Sequence, residues 1–265
     1  MYIISYDIAS KSLAVSIIYF NDGWKKEFNE IKNNYHTELT KLIPPNISIK
    51  KCKCINTYVN KLEILMDTMI IPKFFDVVDL IPNKKLKETT TILRTTRLKA
   101  YLQYIDGVIE SIVCEANKCK ANKCNTNFKV LLEYQMGPND KSRTIGSQVL
   151  YHYSNLNNEF VNSTVCKSNI EISTGHKMDI EIIGPSLKNK INLDIDKHYE
   201  FFMKKYSKSY DANKAHSKAN FLYWVKSKNI EYMIKNIKKK NLDDIADSVT
   251  MTLAWLYIKS GLIKN

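Results

Sequence analysis

A near-continuous apolar run interrupted by one carboxylate, FKVLLEYQ at residues 128–135, limits the architectures open to this chain of 265 residues. A strand of that pattern has no polar side to show to water, so it belongs inside a sheet covered on both faces. Covering both faces takes helices, and the sequence supplies them. Residues 92–114 place Leu98, Leu102, Ile105, Ile109 and Ile112 at three- and four-residue steps, the period of one helix face. Residues 143–153, introduced by the turn GPND, read as a second helix, and residues 212–226 and 243–258 as two more.

The remaining strands follow from β-branched and aromatic content. YIISYDIA (2–9) and SLAVSIIYF (12–20) are separated only by a short Ser-Lys turn, which predicts a hairpin. A third strand is expected to begin near Trp24, and MDIEIIG (178–184) is a short strand stopped by Pro185. Three strands, helix, strand, helix, strand, helix, helix is an order that predicts an α/β fold with a mixed central sheet flanked by helices on both faces. Between residues 35 and 91, IPPN, CKC and IPNKK break up a helical piece near 59–69. That stretch reads as an insertion within a single domain spanning 1–265.

A net charge of +13 and a pI near 9.3 call for a polyanionic partner. Arg94, Arg97 and Arg143 are the only arginines, so lysine carries nearly all the positive charge. Lysine meets phosphate as a flexible point charge, which favours recognition of backbone and shape over base sequence. Acidic lipid would satisfy the same charge, but the apolar stretch 245–263 is broken by Asp247, Thr250, Thr252, Lys259 and Gly261, so no spanning helix is expected. The strand-like opening predicts no secretory leader and an intracellular, cytosolic or nucleocytoplasmic protein. There Cys52, Cys54, Cys114, Cys119, Cys124 and Cys166 stay mostly reduced. CEANKCKANKC lacks paired C-x-x-C knuckles and a fourth ligand, so it reads as a Lys-rich helix end or loop in preference to a zinc site.

The acidic residues carry the functional argument. In the first strand Ile4, Tyr6 and Ile8 share one face and Ile3, Ser5 and Asp7 the other, so Asp7 is a lone charge that either ends the strand as a turn residue or serves a site. Glu133 in its apolar strand needs a cation nearby if it stays ionised, because an unpaired buried carboxylate is costly. Asp243 or Asp244 can cap the last helix, with Asp247 favoured in its first turn by the helix dipole. Asp244 and Asp247, three apart, are neighbours on one side of that helix, and Asp247 lies above Met251, Ala254 and Ile258. Carboxylates on the first and fourth strands plus a pair on the last helix converge at one sheet edge. Such a cluster repels itself unless divalent cations bind it, and hard oxygen ligands suit Mg²⁺ or Mn²⁺. This is the layout of two-metal phosphoryl chemistry, with ions roughly 3.5–4 Å apart.

IISYDIASKSLAVSII, VLLEYQ, IEIIGPSLKNK and DDIADS, in that order, resemble the RuvC-type Holliday-junction resolvases of the RNase H-like superfamily, in particular those of poxviruses and related large DNA viruses. The resemblance leaves residues 35–91 unmatched. It implies Asp7, Glu133, Asp244 and Asp247 as metal-binding and catalytic carboxylates, with two Mg²⁺ or Mn²⁺ ions per site. Asp244 matches the family's D-x-x-D and Asp243 does not. The resemblance further implies Lys188 as a catalytic and DNA-binding residue at the scissile phosphate; Lys214 and Lys218 are weaker candidates for phosphate contacts. It implies a homodimer that nicks four-way DNA junctions in symmetric pairs, leaving 5′-phosphate and 3′-hydroxyl ends, at a viral replication site in host cytoplasm, with no membrane and no nucleotide cofactor. An actin-like ATPase is disfavoured, since DIASKSL has no glycine where a phosphate-cradling turn needs one. Another RNase H-like nuclease acting on hybrids or branched DNA, and a non-catalytic DNA-binding protein of the same fold, stay open.

Overall fold

A computed structural model describes residues 1–21, 23, 26–27, 29–31, 33–34, 61, 64–81, 90–118, 127–134, 140–163, 178–193 and 199–262. Five strands, β1 (Tyr2–Ile8), β2 (Ser12–Phe20), β3 (Ile70–Asp79), β4 (Phe128–Glu133) and β5 (Met178–Ile183), form one sheet in the order β3-β2-β1-β4-β5. β1 pairs antiparallel with β2, β2 antiparallel with β3, β1 parallel with β4 and β4 parallel with β5, so the sheet is mixed. All seven residues of β1 are buried, as are the first five of β4, as expected of interior strands with both faces covered.

Helices α1 (Thr90–Lys118) and α2 (Asp140–Ser163) cover one face. There Leu98, Leu102, Ile105, Ile145 and Val149 pack against Ile4, Val15, Val130 and Leu132. The other face is covered by α4 (Ser209–Ser227) and α5 (Leu242–Lys259), with α3 (Tyr199–Lys205) packed on α4. On that side Phe221, Trp224, Val249 and Leu253 meet Ile3, Ala14, Ile18 and Leu131. The period-two alternation of a strand does the sorting: Tyr2, Ile4, Tyr6 and Ile8 go to the α1/α2 layer, while Ile3, Ser5 and Asp7 face α5.

The third strand corrects the sequence reading. Trp24 lies outside the described residues, those described from 26 to 34 are helical, and the strand that pairs with β2 is Ile70–Asp79. Part of the stretch read as an insertion therefore belongs to the sheet, whereas residues 35–60 and 82–89 lie outside the described residues. β3 was hidden by Pro72, which has no N–H to donate and is tolerated here because the strand is at the edge and its register with β2 shifts between Ile17 and Ile18. Cys114 is exposed and free; the other cysteines, and with them most of CEANKCKANKC, lie outside the described residues. Among the described residues no helix is long and apolar enough to cross a membrane.

Candidate active site

Parallel pairing of β1 with β4 brings both C-terminal strand ends to the same sheet edge, and with them Asp7 and Glu133. Both side chains share parity with residues that face α5, Ile3 on β1 and Leu131 on β4. α5 crosses above them and delivers Asp247, which is 1% exposed, and Asp244 one turn earlier. The residue preceding this helix as its cap is Asn241, without a side-chain capping bond, so Asp243 and Asp244 sit inside the first turn.

Two lysines tie the carboxylates together. Lys188, on the short 3-10 turn Leu187–Lys190 that follows β5, places its Nζ 2.7 Å from Asp247 Oδ2, 3.3 Å from Glu133 Oε1 and 4.0 Å from Asp7 Oδ1. Lys214, on α4, places its Nζ 2.7 Å from Asp247 Oδ2, 3.4 Å from Asp244 Oδ1 and 3.9 Å from Asp7 Oδ2. Ser12, the first residue of β2, donates its hydroxyl to Asp244 Oδ2 at 2.9 Å. Sequence reasoning missed Ser12; its one signal was a hydroxyl in the turn after the Asp7 strand.

The cluster holds four carboxylates against two ammonium groups, leaving two formal negative charges in excess. Burial penalises charge at Asp7, Asp247, Lys188 and Lys214, and its balance with the neighbouring charges sets each direction. Asp7 is pushed well above the usual carboxylate range by burial, then by the Asp247 and Glu133 charges, against the pull of Lys188 and Lys214. At Asp247 burial also pushes upward, but the charges and hydrogen bonds of Lys188 and Lys214 prevail and hold it low. Both lysines are raised: burial opposes their charge, and the carboxylates around them overcome it. Asp247 Oδ2 receives both ammonium groups, whereas its Oδ1 is buried without a hydrogen-bond partner among the described residues. Among the described residues no group of three or more His, Cys, Asp or Glu side chains stands placed to hold a metal ion.

Of the residues singled out from the sequence, Asp7, Glu133, Asp244, Asp247, Lys188 and Lys214 therefore meet at one place. Lys214, expected at the phosphate backbone, sits among the carboxylates. Lys218 stands apart, paired with Asp243 at 2.7 Å on a partly exposed surface.

The fold and site define a mixed α/β protein with a buried carboxylate–lysine cluster at the ends of its parallel strands. Residues 200–260, which span most of α3 and all of α4 and α5, match the family described as Poxvirus A22 protein, and this bears out the resemblance to the poxvirus-type family. The matched segment carries Lys214, Asp244 and Asp247 and excludes Asp7, Glu133 and Lys188. No curated protein and no solved structure matches the chain.

Proposed function

We propose that the chain is an RNase H-like, metal-dependent endonuclease that resolves four-way DNA junctions by paired symmetric nicks, acting as a homodimer. The observation that carries this reading is the convergence of Asp7, Glu133, Asp244 and Asp247 on the Lys188 and Lys214 ammonium groups at one sheet edge, from segments far apart in the chain. The family match on 200–260 supports the substrate class, and the lysine-borne charge of +13 supports a nucleic-acid backbone as partner. A three-strand antiparallel meander extended by two parallel strands, with helices on both faces, supports the fold assignment.

In donor type, though not in their present placement, these residues suit hard divalent cations. Their donors are oxygens, the charge excess is negative, and Asp247 Oδ1 is a buried acceptor without a partner among the described residues. Asp7, Glu133, Asp244 and Asp247 would hold Mg²⁺ or Mn²⁺, in competition with the Lys188 and Lys214 ammonium groups. Bound ions of this kind lower the pKa of a coordinated water and offset charge on a departing oxygen. The chain's own groups prepare the rest. Lys188 and Lys214 keep Asp247 ionised, Ser12 orients Asp244, and Lys188, partly exposed, also offsets the charge of the scissile phosphate where burial strengthens electrostatics.

The test is cleavage of a labelled immobile four-way junction beside linear duplex and an RNA–DNA hybrid, with Mg²⁺ or EDTA, for wild type and Asp7→Asn. Paired nicks in the junction, absent with EDTA and in the variant, are expected. Comparable cutting of the hybrid would redirect the reading to another RNase H-like nuclease, and tight junction binding without cutting would reduce it to a DNA-binding protein.

A further inference from the structure

Lys188 must be held in place to serve three carboxylates, yet its 3-10 turn contains no buried residue. Leu187 packs only partly buried against the core, which leaves the turn little local stability of its own. The backbone that follows anchors it further. Asn220 on α4 is fully buried; it donates from Nδ2 to the Ile191 carbonyl at 3.0 Å and accepts the Leu193 N–H on Oδ1 at 2.6 Å. One planar amide thus pairs with a carbonyl and an N–H two residues apart, as a neighbouring strand would. One turn earlier on α4, the buried His216 places Nε2 3.0 Å from Asn220 Nδ2 and 2.8 Å from Asn192 Oδ1. Asn192 also accepts the Tyr199 N–H at 3.3 Å, which ties in the start of α3. The same helix is fixed to α5 by Ser217 and Thr250, whose hydroxyl oxygens are 2.7 Å apart, so α4 bridges the lysine turn and the aspartate helix.

We propose that Asn220 is the positioning residue for Lys188: by pinning residues 191–193 to α4 it holds the Lys188 ammonium group among Asp7, Glu133 and Asp247. A buried amide paired on both its oxygen and its nitrogen in this way favours one arrangement, because an alternative strands one or both of those groups. The role in cleavage rests on the function proposed above; the latch itself is a property of the chain and is tested separately.

Two readouts on the same variants decide it. The first is limited acetylation of lysine amines, followed by peptide mass spectrometry, comparing Lys188 (side chain 13% exposed) with Lys129 (10% exposed and ion-paired to Asp179 and Glu181 across β4 and β5). Asn220→Ala is expected to raise labelling of Lys188 and leave Lys129 unchanged. The second is junction cleavage at saturating DNA, where kcat is expected to fall by about 10–100-fold, as for other outer-shell supports, with junction Kd in EDTA unchanged. Asn192→Ala, at an exposed position that does not threaten folding, should shift both readouts the same way by less. Equal rises at Lys188 and Lys129, or no rise at Lys188 in either variant, would overturn the latch. A labelled, mobile Lys188 in an enzyme that still cuts at the wild-type rate would overturn its role in positioning. Wild type that never cuts would remove the proposed function, while the labelling ratio still decides the latch.

Discussion

Asp7 and Asp247 belong to one cluster, yet their neutral replacements should move stability in opposite directions. Asp247 accepts two ammonium groups on Oδ2, each at 2.7 Å, and is held low by them. Removing one member of a buried charge pair costs roughly 3–5 kcal/mol. Lys188 keeps Glu133 at 3.3 Å, Lys214 keeps Asp244 at 3.4 Å, and both ammonium groups are partly exposed, which trims the loss. Asp247→Asn should therefore cost about 2 kcal/mol after that discount. In a chain of this size it should lower Tm by about 4–8 °C. Asp7 has its nearest ammonium nitrogens at 3.9 and 4.0 Å and is pushed up by burial and by Asp247. Asp7→Asn removes that conflict and should gain about 1 kcal/mol, in the range of relieved active-site strain. Its Tm should rise by about 2–4 °C. The pH dependence follows the same signs. Asp7 destabilises above its raised folded-state pKa, and the penalty is relieved as pH falls through that value toward about 3.9, its unfolded one. Asp247 stabilises above about 3.9, and its contribution is lost as pH falls through its depressed folded-state value. The assay is thermal unfolding by circular dichroism in EDTA at low salt, from pH 7 down to pH 4. The Asp7→Asn advantage should shrink along that path. Shifts of the same sign for the two variants at pH 7 would refute the electrostatic account of the cluster.

Adding Mg²⁺ or Mn²⁺ at about 100 times its Kd should raise wild-type stability by about 2.7 kcal/mol by mass action, and Asp7→Asn should show a smaller shift in the same thermal scan; identical shifts would exclude Asp7 as a ligand. Lys188→Ala should lower single-turnover junction cleavage by about 10²–10³-fold, the size of losing one transition-state donor, with binding in EDTA nearly unchanged by gel shift. Lys218→Ala, which loses only a partly exposed pair with Asp243, should change unfolding free energy by no more than about 1 kcal/mol by chemical denaturation. Tyr6→Phe should cost about 1–3 kcal/mol by stranding the buried Tyr153 hydroxyl that stands 2.5 Å from the Tyr6 hydroxyl, and adding Tyr153→Phe should recover part of it in a double-mutant cycle.

The strands β1, β2, β4 and β5 and the helices α1, α2, α4 and α5 were legible from local signals: β-branched and aromatic runs for the strands, helical spacing in α1, and turn residues at the ends. Alternation also sent Asp7 to the face opposite Tyr6, and helical spacing put Asp244 and Asp247 on one side, so the carboxylates were readable by face before any contact was known. β3 was not, since an edge strand carrying Pro72 and partly exposed on both faces has neither a continuous apolar run nor a clean alternation. Nor could one sequence say which cations meet which anions. Lys214 is one lysine in a Lys-rich helix until α4 packs on α5, Ser12 reaches Asp244 across 232 residues of chain, and Asn220 finds the Ile191 carbonyl 29 residues back. Local periodicity fixes where a side chain can point, because backbone geometry is local; its partner is chosen by packing between distant segments, which is decided only when the layers close on the sheet.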